Sequence, residues 1–202
     1  MKIALLGLCT IVLCIATPRL HAETVLVLGD SISAAYGIQR EQGWVALLQN
    51  RLSTLSDTHK VVNASISGET TGGGLARLAS MLKIHHPDIV ILELGGNDGL
   101  RGYPIESIVQ NMQQLVTMSQ QAGARVVILG MRIPPNYGVR YTEAFYEIYQ
   151  SLGKSSKAIL IPFFMAGIGD QPTYMQNDGV HPTSEAQQIL LENVWQLLSS
   201  LF

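Results

Sequence analysis

Short runs of Val, Ile and Leu alternate from Glu23 onward with longer segments of helical periodicity, and this alternation restricts the fold more than any other feature. The runs lack the apolar and polar alternation of a strand with one solvated face, so they predict strands buried on both faces of a parallel sheet. The predicted strands are residues 24–28, 60–64, 88–94, 125–130 and 159–162, and the predicted helices are residues 43–52, 75–84, 104–121, 141–151 and 184–201. Right-handed crossovers place helices on both faces of such a sheet. We therefore expect an α/β fold, a three-layer α/β/α sandwich around a flavodoxin-like, five-stranded, mainly parallel sheet.

Two of the predicted helices carry boundary signals. Pro104 lies at the start of the third helix, and Gly123 follows its end. The last helix follows Thr183 and Ser184, either of which could be its N-cap, because a hydroxyl oxygen accepts a hydrogen bond from a free N–H of the first turn.

Composition excludes several classes of protein. The chain has 202 residues, of which 47% are hydrophobic and 14% charged, which is typical of a globular domain and not of a disordered chain or a coiled coil. Its formal net charge is -2 and it has no run of Lys or Arg, so binding of nucleic acid is not expected. It contains no repeats or low-complexity linker, which predicts a single domain.

The first 22 residues have the three zones of a secretory signal peptide. Lys2 precedes an apolar run over residues 3–16, Pro18 interrupts it, and Ala22 is a small residue at the expected cleavage point. The run is shorter than the ~20 residues that span a bilayer, so an uncleaved membrane anchor is the less favoured alternative.

Cleavage after Ala22 would leave residues 23–202 as one exported domain, periplasmic or secreted, without a stable membrane anchor. Cys9 and Cys14 both lie in the leader, so this mature chain would have no thiol and no disulfide.

Polar residues follow the first three predicted strands, at the edge of a parallel sheet where ligands bind. Ser31 follows the first strand, Gly68 the second and Asn97 the third, and Asp178 and His181 precede the last helix. A serine becomes a useful nucleophile when a neighbouring base takes its proton, and His181 is the candidate base. Asp178 could hold the imidazole in the required tautomer. These residues predict a Ser-His-Asp triad.

An acyl-transfer site also needs donors for the negative charge that develops on the substrate oxygen. The candidate donors are the backbone N–H groups of Ser31 and Gly68 and the side-chain amide of Asn97. Gly68 has no Cβ, so its backbone can approach a substrate closely.

Local interpretations compete with these roles. Asn97 and Asp98 on their own favour a plain turn, and Asp30 and Asp98 are expected to hold loops by hydrogen bonds. Glu69 either pairs with Arg77 or caps the next helix. Residues 85–86 are adjacent histidines, which point apart on a helix and do not predict a metal site. Residues 72–74 are three glycines without the Lys of a P-loop, and we expect them to lead into a helix.

In this order, Ser31, Gly68, Asn97 and His181 make the chain resemble the SGNH (GDSL-type) hydrolases. Further matching stretches lie at residues 69–78, 93–102, 136–138 and 162–165, so the resemblance covers essentially the whole mature chain. One departure is Ile32, where the family name has Leu, a change of similar volume. Within the family the chain is most similar to the small bacterial thioesterase I, lysophospholipase L1 and arylesterase group. The resemblance implies the SGNH hydrolase fold and hydrolysis through an acyl-enzyme, without a metal or other cofactor.

The resemblance also implies a substrate-binding region. Residues 99–104 are the candidate switch loop, and its glycines would permit movement. Predicted substrate contacts are Gly99, Leu100, Tyr137, Phe164 and Met165, with Ile105 and Pro134 as further candidates.

The sequence thus predicts a monomeric, exported serine esterase for small aryl and short- to medium-chain acyl esters, with thioesters and lysophospholipids as further substrates. Two alternatives stay open. One is an esterase that removes O-acetyl groups from carbohydrates or cell-wall glycans. The other is a flavodoxin-like binding module without catalysis.

Overall fold

The computed structural model describes residues 22–202. The predicted leader, apart from Ala22, lies outside these residues, and so do Cys9 and Cys14. In the described range, no helix is long and apolar enough to cross a membrane.

The centre of the molecule is one parallel sheet, which confirms the predicted architecture. Its strands are β1 (Thr24–Gly29), β2 (Lys60–Asn63), β3 (Ile89–Glu93), β4 (Arg125–Leu129) and β5 (Ile159–Ile161). They lie in the order β2-β1-β3-β4-β5, and each neighbouring pair is parallel. The carboxyl ends of β2, β1 and β3 are therefore adjacent, which brings the loops after these strands to one edge.

Helices cover both faces of the sheet. They are α1 (Trp44–Leu55), α2 (Thr71–His85), α3 (Gly96–Leu100), α4 (Ile105–Gln121), α5 (Val139–Ser155) and α6 (Gln187–Leu198), with short 3₁₀ turns at Arg40–Gln42, Pro135–Tyr137, Pro172–Tyr174 and Ser199–Leu201. Alternate residues of each strand face opposite layers. In β1, Leu26 and Leu28 pack with α2, α4 and α5, whereas Val25 and Val27 pack with α1 and α6. This period of two with both faces buried explains the continuous apolar runs.

Helix α2 begins earlier than the sequence pattern predicts, at Thr71. The Thr70 side chain caps it by accepting a hydrogen bond from the Gly73 N–H at 3.1 Å. Gly74 lies so close to β3 that an added Cβ would stand 2.5 Å from a Leu94 methyl carbon. The three glycines therefore form the first turn of the helix and allow it to approach the sheet.

Helix α6 begins later than predicted, and the expected N-cap is wrong. The helix starts at Gln187, its N-cap is Ala186, and no side chain caps it. Thr183 and Ser184 belong instead to the turn before it. The Gln187 side chain explains the difference, because it donates to the Thr183 carbonyl at 3.0 Å and accepts from the Trp44 N–H at 3.0 Å. These bonds tie the turn to the start of α1.

The segment after β3 forms a short helix, α3, where local sequence favoured a plain turn. Asp98 on this helix accepts two hydrogen bonds from Thr71, at 2.9 Å from its N–H and 2.6 Å from its hydroxyl. Gly99 is buried, and an added Cβ would lie 2.7 Å from the Phe145 ring. Contacts with α2 and α5 thus hold a helix that the local sequence does not favour.

Candidate active site

Ser31, His181 and Asp178 form a continuous hydrogen-bonded chain at the carboxyl edge of the sheet. The His181 Nε2 lies 2.9 Å from the Ser31 Oγ, and the His181 Nδ1 lies 2.7 Å from the Asp178 Oδ2. The second carboxylate oxygen of Asp178 accepts from the N–H groups of Val180 at 2.9 Å and His181 at 3.0 Å. Asp178 thus fixes both the ring and the backbone of His181, and the ring bridges to a serine 150 residues away.

The pKa of Asp178 is lowered to about 2, first by the hydrogen bond from the His181 N–H and then by the hydrogen bond to the His181 ring. The carboxylate is therefore ionised at neutral pH. An ionised acceptor at Nδ1 places the ring proton there and leaves Nε2 free to accept the Ser31 proton.

The loop that carries His181 is closed on itself and tied to the Ser31 loop. Met175 and Pro182 form an antiparallel bridge, and the Gln176 N–H donates to the His181 carbonyl at 2.7 Å. The Gln176 side-chain amide donates to the carbonyls of Pro182, at 2.9 Å, and of Tyr36, at 2.8 Å. Gln176 thereby fixes the distance between the two loops that supply the histidine and the serine.

Tyr36 is a site residue that the sequence analysis missed. Its ring lies against the His181 imidazole, with centroids 4.4 Å apart and planes tilted by 37°, and the side chain is 52% exposed. The Tyr36 N–H donates to the Ser31 carbonyl at 3.0 Å, so the same turn positions the nucleophile and this ring. No sequence signal links Tyr36 to His181, because the contact depends on how two distant loops meet.

The three candidate oxyanion donors lie on segments that are joined to one another by hydrogen bonds. The loop of Gly68 is joined to β1, where the Ile66 N–H donates to the Gly29 carbonyl at 3.0 Å, and the Gly68 carbonyl accepts from Arg101, after α3, at 3.1 Å. Gly68 has φ of +79°, a conformation that favours glycine. Among the described residues, no group accepts a hydrogen bond from the backbone N–H of Ser31 or Gly68. Both groups can therefore donate to a substrate.

The side-chain amide of Asn97 is oriented by a hydrogen bond to Asp30. Its Nδ2 donates to the Asp30 Oδ2 at 3.0 Å, and an amide nitrogen carries a second proton for another acceptor. The other oxygen of Asp30 accepts from the Ile32 N–H at 3.1 Å. Asp30 therefore links the turn that carries Ser31 with the helix that carries Asn97.

A second buried acid, Glu93, lies beneath Asp30 and was also missed in the sequence analysis. One of its oxygens accepts from the Asp30 N–H at 3.1 Å and from the Ser33 hydroxyl at 2.7 Å. Burial raises the pKa of Asp30 to about 6. Burial, and then the charge of Asp30, raise the pKa of Glu93 well above its ordinary value. The signal was a carboxyl group at the end of an otherwise apolar strand.

Other predicted polar residues have structural contacts. Glu69 pairs with Arg77, whose Nε lies 2.7 Å from its Oε2. His85 ends α2, and His86 follows in a left-handed conformation with φ of 43°. Within residues 22–202, no group of three or more His, Cys, Asp or Glu side chains is arranged to hold a metal ion.

The predicted substrate contacts separate into two groups. Leu100 and Tyr137 lie together, because the Tyr137 hydroxyl donates to the Leu100 carbonyl at 2.8 Å. Gly99 lies on the same short helix as Leu100, and an added Cβ there would stand 2.7 Å from the Phe145 ring. The first two residues of the expected switch loop, 99–104, are thus helical.

Phe164 does not line a substrate groove, which corrects the sequence analysis. It is 1% exposed and contacts the Trp44 ring edge-on, with centroids 5.4 Å apart. Met165 is partly buried against the same core cluster, which lies between the sheet and helices α1 and α6. The Phe164 N–H donates to the Gly130 carbonyl at 2.8 Å, and this bond holds the residue against the sheet.

Comparison with known proteins identifies a family and several relatives of this chain. Residues 27–189 match the GDSL-like Lipase/Acylhydrolase family. Esterase TesA from Pseudomonas aeruginosa is 48% identical over 201 residues, 100% of each chain. A protein from Escherichia coli named thioesterase 1/protease 1/lysophospholipase L1 is 44% identical over 171 residues, 85% of this chain and 81% of that one. The psychrotrophic esterase EstA from Pseudoalteromonas, solved inhibited by monoethylphosphonate, has a TM-score of 0.84 at 41% identity, covering 89% of this chain and 98% of that one.

Proposed function

Because the chain belongs to the GDSL-like Lipase/Acylhydrolase family and is a carboxylic ester hydrolase, we propose that Ser31, His181 and Asp178 are its catalytic triad. The observation that carries the proposal is the unbroken chain of short contacts from Ser31 Oγ through the His181 ring to Asp178. This is the arrangement of nucleophile, base and orienting carboxylate that activates a serine hydroxyl.

The reaction follows from these contacts in two halves. His181 Nε2 takes the hydroxyl proton as Ser31 Oγ bonds to the acyl carbon, and the carbonyl electrons move onto the oxygen. The tetrahedral intermediate then expels the alkoxide or thiolate, which receives the proton from His181, and an acyl-enzyme remains. Water attacks the acyl-enzyme in the same way, giving its proton to His181, which returns it to the Ser31 oxygen as the acid leaves. No metal or other cofactor takes part in these steps.

We place the oxyanion between the backbone N–H groups of Ser31 and Gly68 and the second amide proton of Asn97. These are the strand-end donors that the structure ties to one another through Asp30, Gly29 and Arg101. Donors held in place before the reaction stabilise developing charge without reorganisation, and each is worth about 2.7–4 kcal/mol.

The proposed substrates are small aryl and short- to medium-chain acyl esters. Exposed apolar side chains lie on the loops that carry the serine, Gly68 and the histidine: Tyr36 at 52%, Ile66 at 51% and Val180 at 40% exposure. They offer an open apolar surface, suited to a flat aryl group or a short chain. Leu100 precedes Arg101, which bonds to the Gly68 carbonyl, and Tyr137 bonds to Leu100; these two residues are the proposed contacts for a longer acyl chain. Thioesters and lysophospholipids are further proposed substrates, by analogy with the name of the relative from E. coli.

Hydrolysis of p-nitrophenyl esters of increasing chain length tests this proposal, with Ser31→Ala as the variant and Ser67→Ala as the matched control. Ser67 is exposed in the loop after β2 and has no part in the proposed triad. We expect turnover of the short and medium esters by the wild type and the control, and none above background by Ser31→Ala. Turnover confined to O-acetylated sugars would instead favour a carbohydrate esterase. Wild-type turnover by Ser31→Ala would overturn the triad.

We further propose that residues 23–202 form one monomeric domain, exported after removal of the leader. Supporting contacts begin at Glu23, whose N–H donates to the His59 Nδ1 at 3.1 Å and whose carboxylate pairs with Arg125. Mass spectrometry of protein recovered from the periplasm or medium should find Glu23 as the first residue, and gel filtration should give the monomer mass. Protein that stays inside the cell and still begins at Met1 would contradict the proposed export. A dimer mass in gel filtration would contradict the proposed monomer.

A further inference from the structure

Glu93 is an unusual residue for the end of a central strand. It is 0% exposed, and its Oε2 accepts three hydrogen bonds, from the Asp30 N–H at 3.1 Å, the Ser33 N–H at 3.3 Å and the Ser33 hydroxyl at 2.7 Å. Its Oε1 is also buried, and no group in residues 22–202 donates a hydrogen bond to it. A carboxylate oxygen in this position would be a costly unpaired acceptor, whereas a protonated carboxyl would present an O–H donor there.

Asp30 supplies the matching acceptor. It is 3% exposed, and both of its oxygens already accept hydrogen bonds, from the Ile32 N–H and from the Asn97 amide. The Asp30 backbone N–H bonds to the Glu93 carboxyl at 3.1 Å, and each of the two carboxyl groups affects the pKa of the other. Two carboxyl groups this close can bond to each other only when one of them carries a proton. The accepting role of both Asp30 oxygens assigns the proton to Glu93.

We propose that Glu93 is a positioning residue that holds a proton, donates it in a hydrogen bond to the Asp30 carboxylate, and so keeps Asp30 Oδ2 facing the Asn97 amide. The inference rests on the proposed function in one respect, the role of Asn97 as an oxyanion donor. Glu93 itself touches no substrate. It acts through Asp30, and it also holds the Ser31 turn through the Asp30 N–H and Ser33.

The charges around the pair agree with a single shared proton. The pKa of Glu93 is raised by burial and by the charge of Asp30, whereas the pKa of Asp30 reaches only about 6 because hydrogen bonds and the neighbouring His181 oppose the effect of burial. Tyr149 from α5 interacts electrostatically with both carboxyl groups and with Asp98 from α3. The shared proton is therefore held on Glu93 rather than on Asp30. Loss of the proton from Glu93 would leave two adjacent buried charges and disturb the orientation of the Asn97 side-chain amide.

Infrared spectroscopy measures whether the Glu93 carboxyl is protonated, and it does so independently of enzymatic activity. The carbonyl stretch of a neutral carboxylic acid is separate from the bands of carboxylates and amides, so wild type minus Glu93→Gln at pH 7 should show one neutral carboxyl band. Glu192→Gln is the matched control, because Glu192 pairs with Arg51 on the surface and the pKa of its carboxyl is lowered by that bond. Apart from the band of the introduced glutamine amide, which both differences share, the control difference should contain only a carboxylate band. A carboxylate band in the Glu93→Gln difference would overturn the proposal.

Kinetics test the positioning role. Glu93→Ala should lower kcat by up to about 100-fold with KM nearly unchanged, since it loosens one oxyanion donor. Glu93→Gln should recover kcat to within about three-fold of the wild type, because its amide donates to Asp30 as the protonated acid does. A decline of wild-type kcat as the pH rises and Glu93 loses its proton should be absent in Glu93→Gln.

A Glu93→Gln variant that folds but is as impaired as Glu93→Ala would overturn the inference. Thermal melting of both variants shows whether each is folded. Failure of the proposed function is a different result, because it would show as a wild type without esterase activity, while the infrared difference would be unaffected.

Discussion

Asn97→Ala provides a sharp quantitative prediction, because the Asn97 side chain has two separable roles. One amide proton is bonded to Asp30 at 3.0 Å, and the other is the proposed donor to the oxyanion. Removal of the side chain therefore affects turnover through the lost donor and stability through Asp30, which is buried and loses one of its partners.

The two effects have different sizes. Loss of one oxyanion donor costs about 2.7–4 kcal/mol of transition-state stabilisation, so kcat should fall about 100- to 1000-fold with little change in KM. A buried acceptor left without its partner costs about 1–3 kcal/mol of folding free energy. Asn97→Ala should therefore remain folded at 25 °C, melt at a lower temperature, and be nearly inactive.

The assay compares kcat and KM on p-nitrophenyl butyrate for the wild type, Asn97→Ala and Asn111→Ala, with urea unfolding of each. Asn111 is the matched control because it is also half-buried and also donates one hydrogen bond from Nδ2, at 3.0 Å to the Thr71 hydroxyl. Asn111→Ala should lose about 0.5–1.5 kcal/mol of stability and keep its kcat. If Asn97→Ala keeps kcat within about five-fold of the wild type, the amide is not an oxyanion donor as described.

Three further predictions concern packing and pH. Phe164→Ala should lower the free energy of unfolding by about 3–5 kcal/mol in urea and leave the preferred acyl chain length unchanged, and a shifted preference at full stability would return Phe164 to the substrate groove. Because the pKa of Asp178 is lowered to about 2 from 3.8, its stabilising contribution is present above pH 3.8 and is lost as the pH falls towards 2. Asp178→Asn should therefore unfold with a weaker acid dependence than the wild type, and coincident acid unfolding curves would refute this. The raised pKa of Glu93 acts in the opposite sense, since the neutral form favours folding below its ordinary pKa of 4.5 and this contribution is lost as the pH rises. Unfolding free energies measured from pH 5 to 9 should fall less in Glu93→Gln than in the wild type, and equal slopes would contradict the buried acid.

The sheet could be predicted from the sequence because each strand is an unbroken run of residues that suit a strand buried on both faces. All five predicted strands are present, with each end shifted by at most one residue. Because all five strands are parallel, their carboxyl ends lie at the same edge of the sheet. Ser31, Gly68 and Asn97 meet at one edge for that reason, which strand-end reasoning can anticipate.

The contacts that depend on distant segments could not be predicted. Helix α3 consists of Gly, Asn, Asp, Gly and Leu, a poor helical sequence, and exists because Thr71 and Phe145 hold Asp98 and Gly99. Phe164 is apolar and follows a strand, which fits a groove or a core equally well. The packing of α1 against the sheet places Phe164 in the core, and this packing is not visible in the local sequence.

Glu93 was visible in the sequence as an unusual residue, but its structural role could not be predicted. A carboxyl at the end of an apolar strand predicts an unusual environment, yet its partner depends on strand register. Gly29 pairs with Glu93 across β1 and β3, which places the next residue, Asp30, directly above the buried acid. An added Cβ on Gly29 would lie 2.6 Å from the Glu93 Oε2, so glycine at this position leaves room for the carboxyl group.

Mapping the site of a fluorophosphonate adduct tests the central claim most directly, because the reagent bonds only to a serine whose hydroxyl is activated by a base. The protein is labelled, digested and sequenced by mass spectrometry, with Ser31→Ala and His181→Ala alongside. We expect one adduct, on Ser31, in the wild type and none in either variant. An adduct on another serine, or an active wild type that is not labelled, would contradict the assignment of Ser31 as the nucleophile.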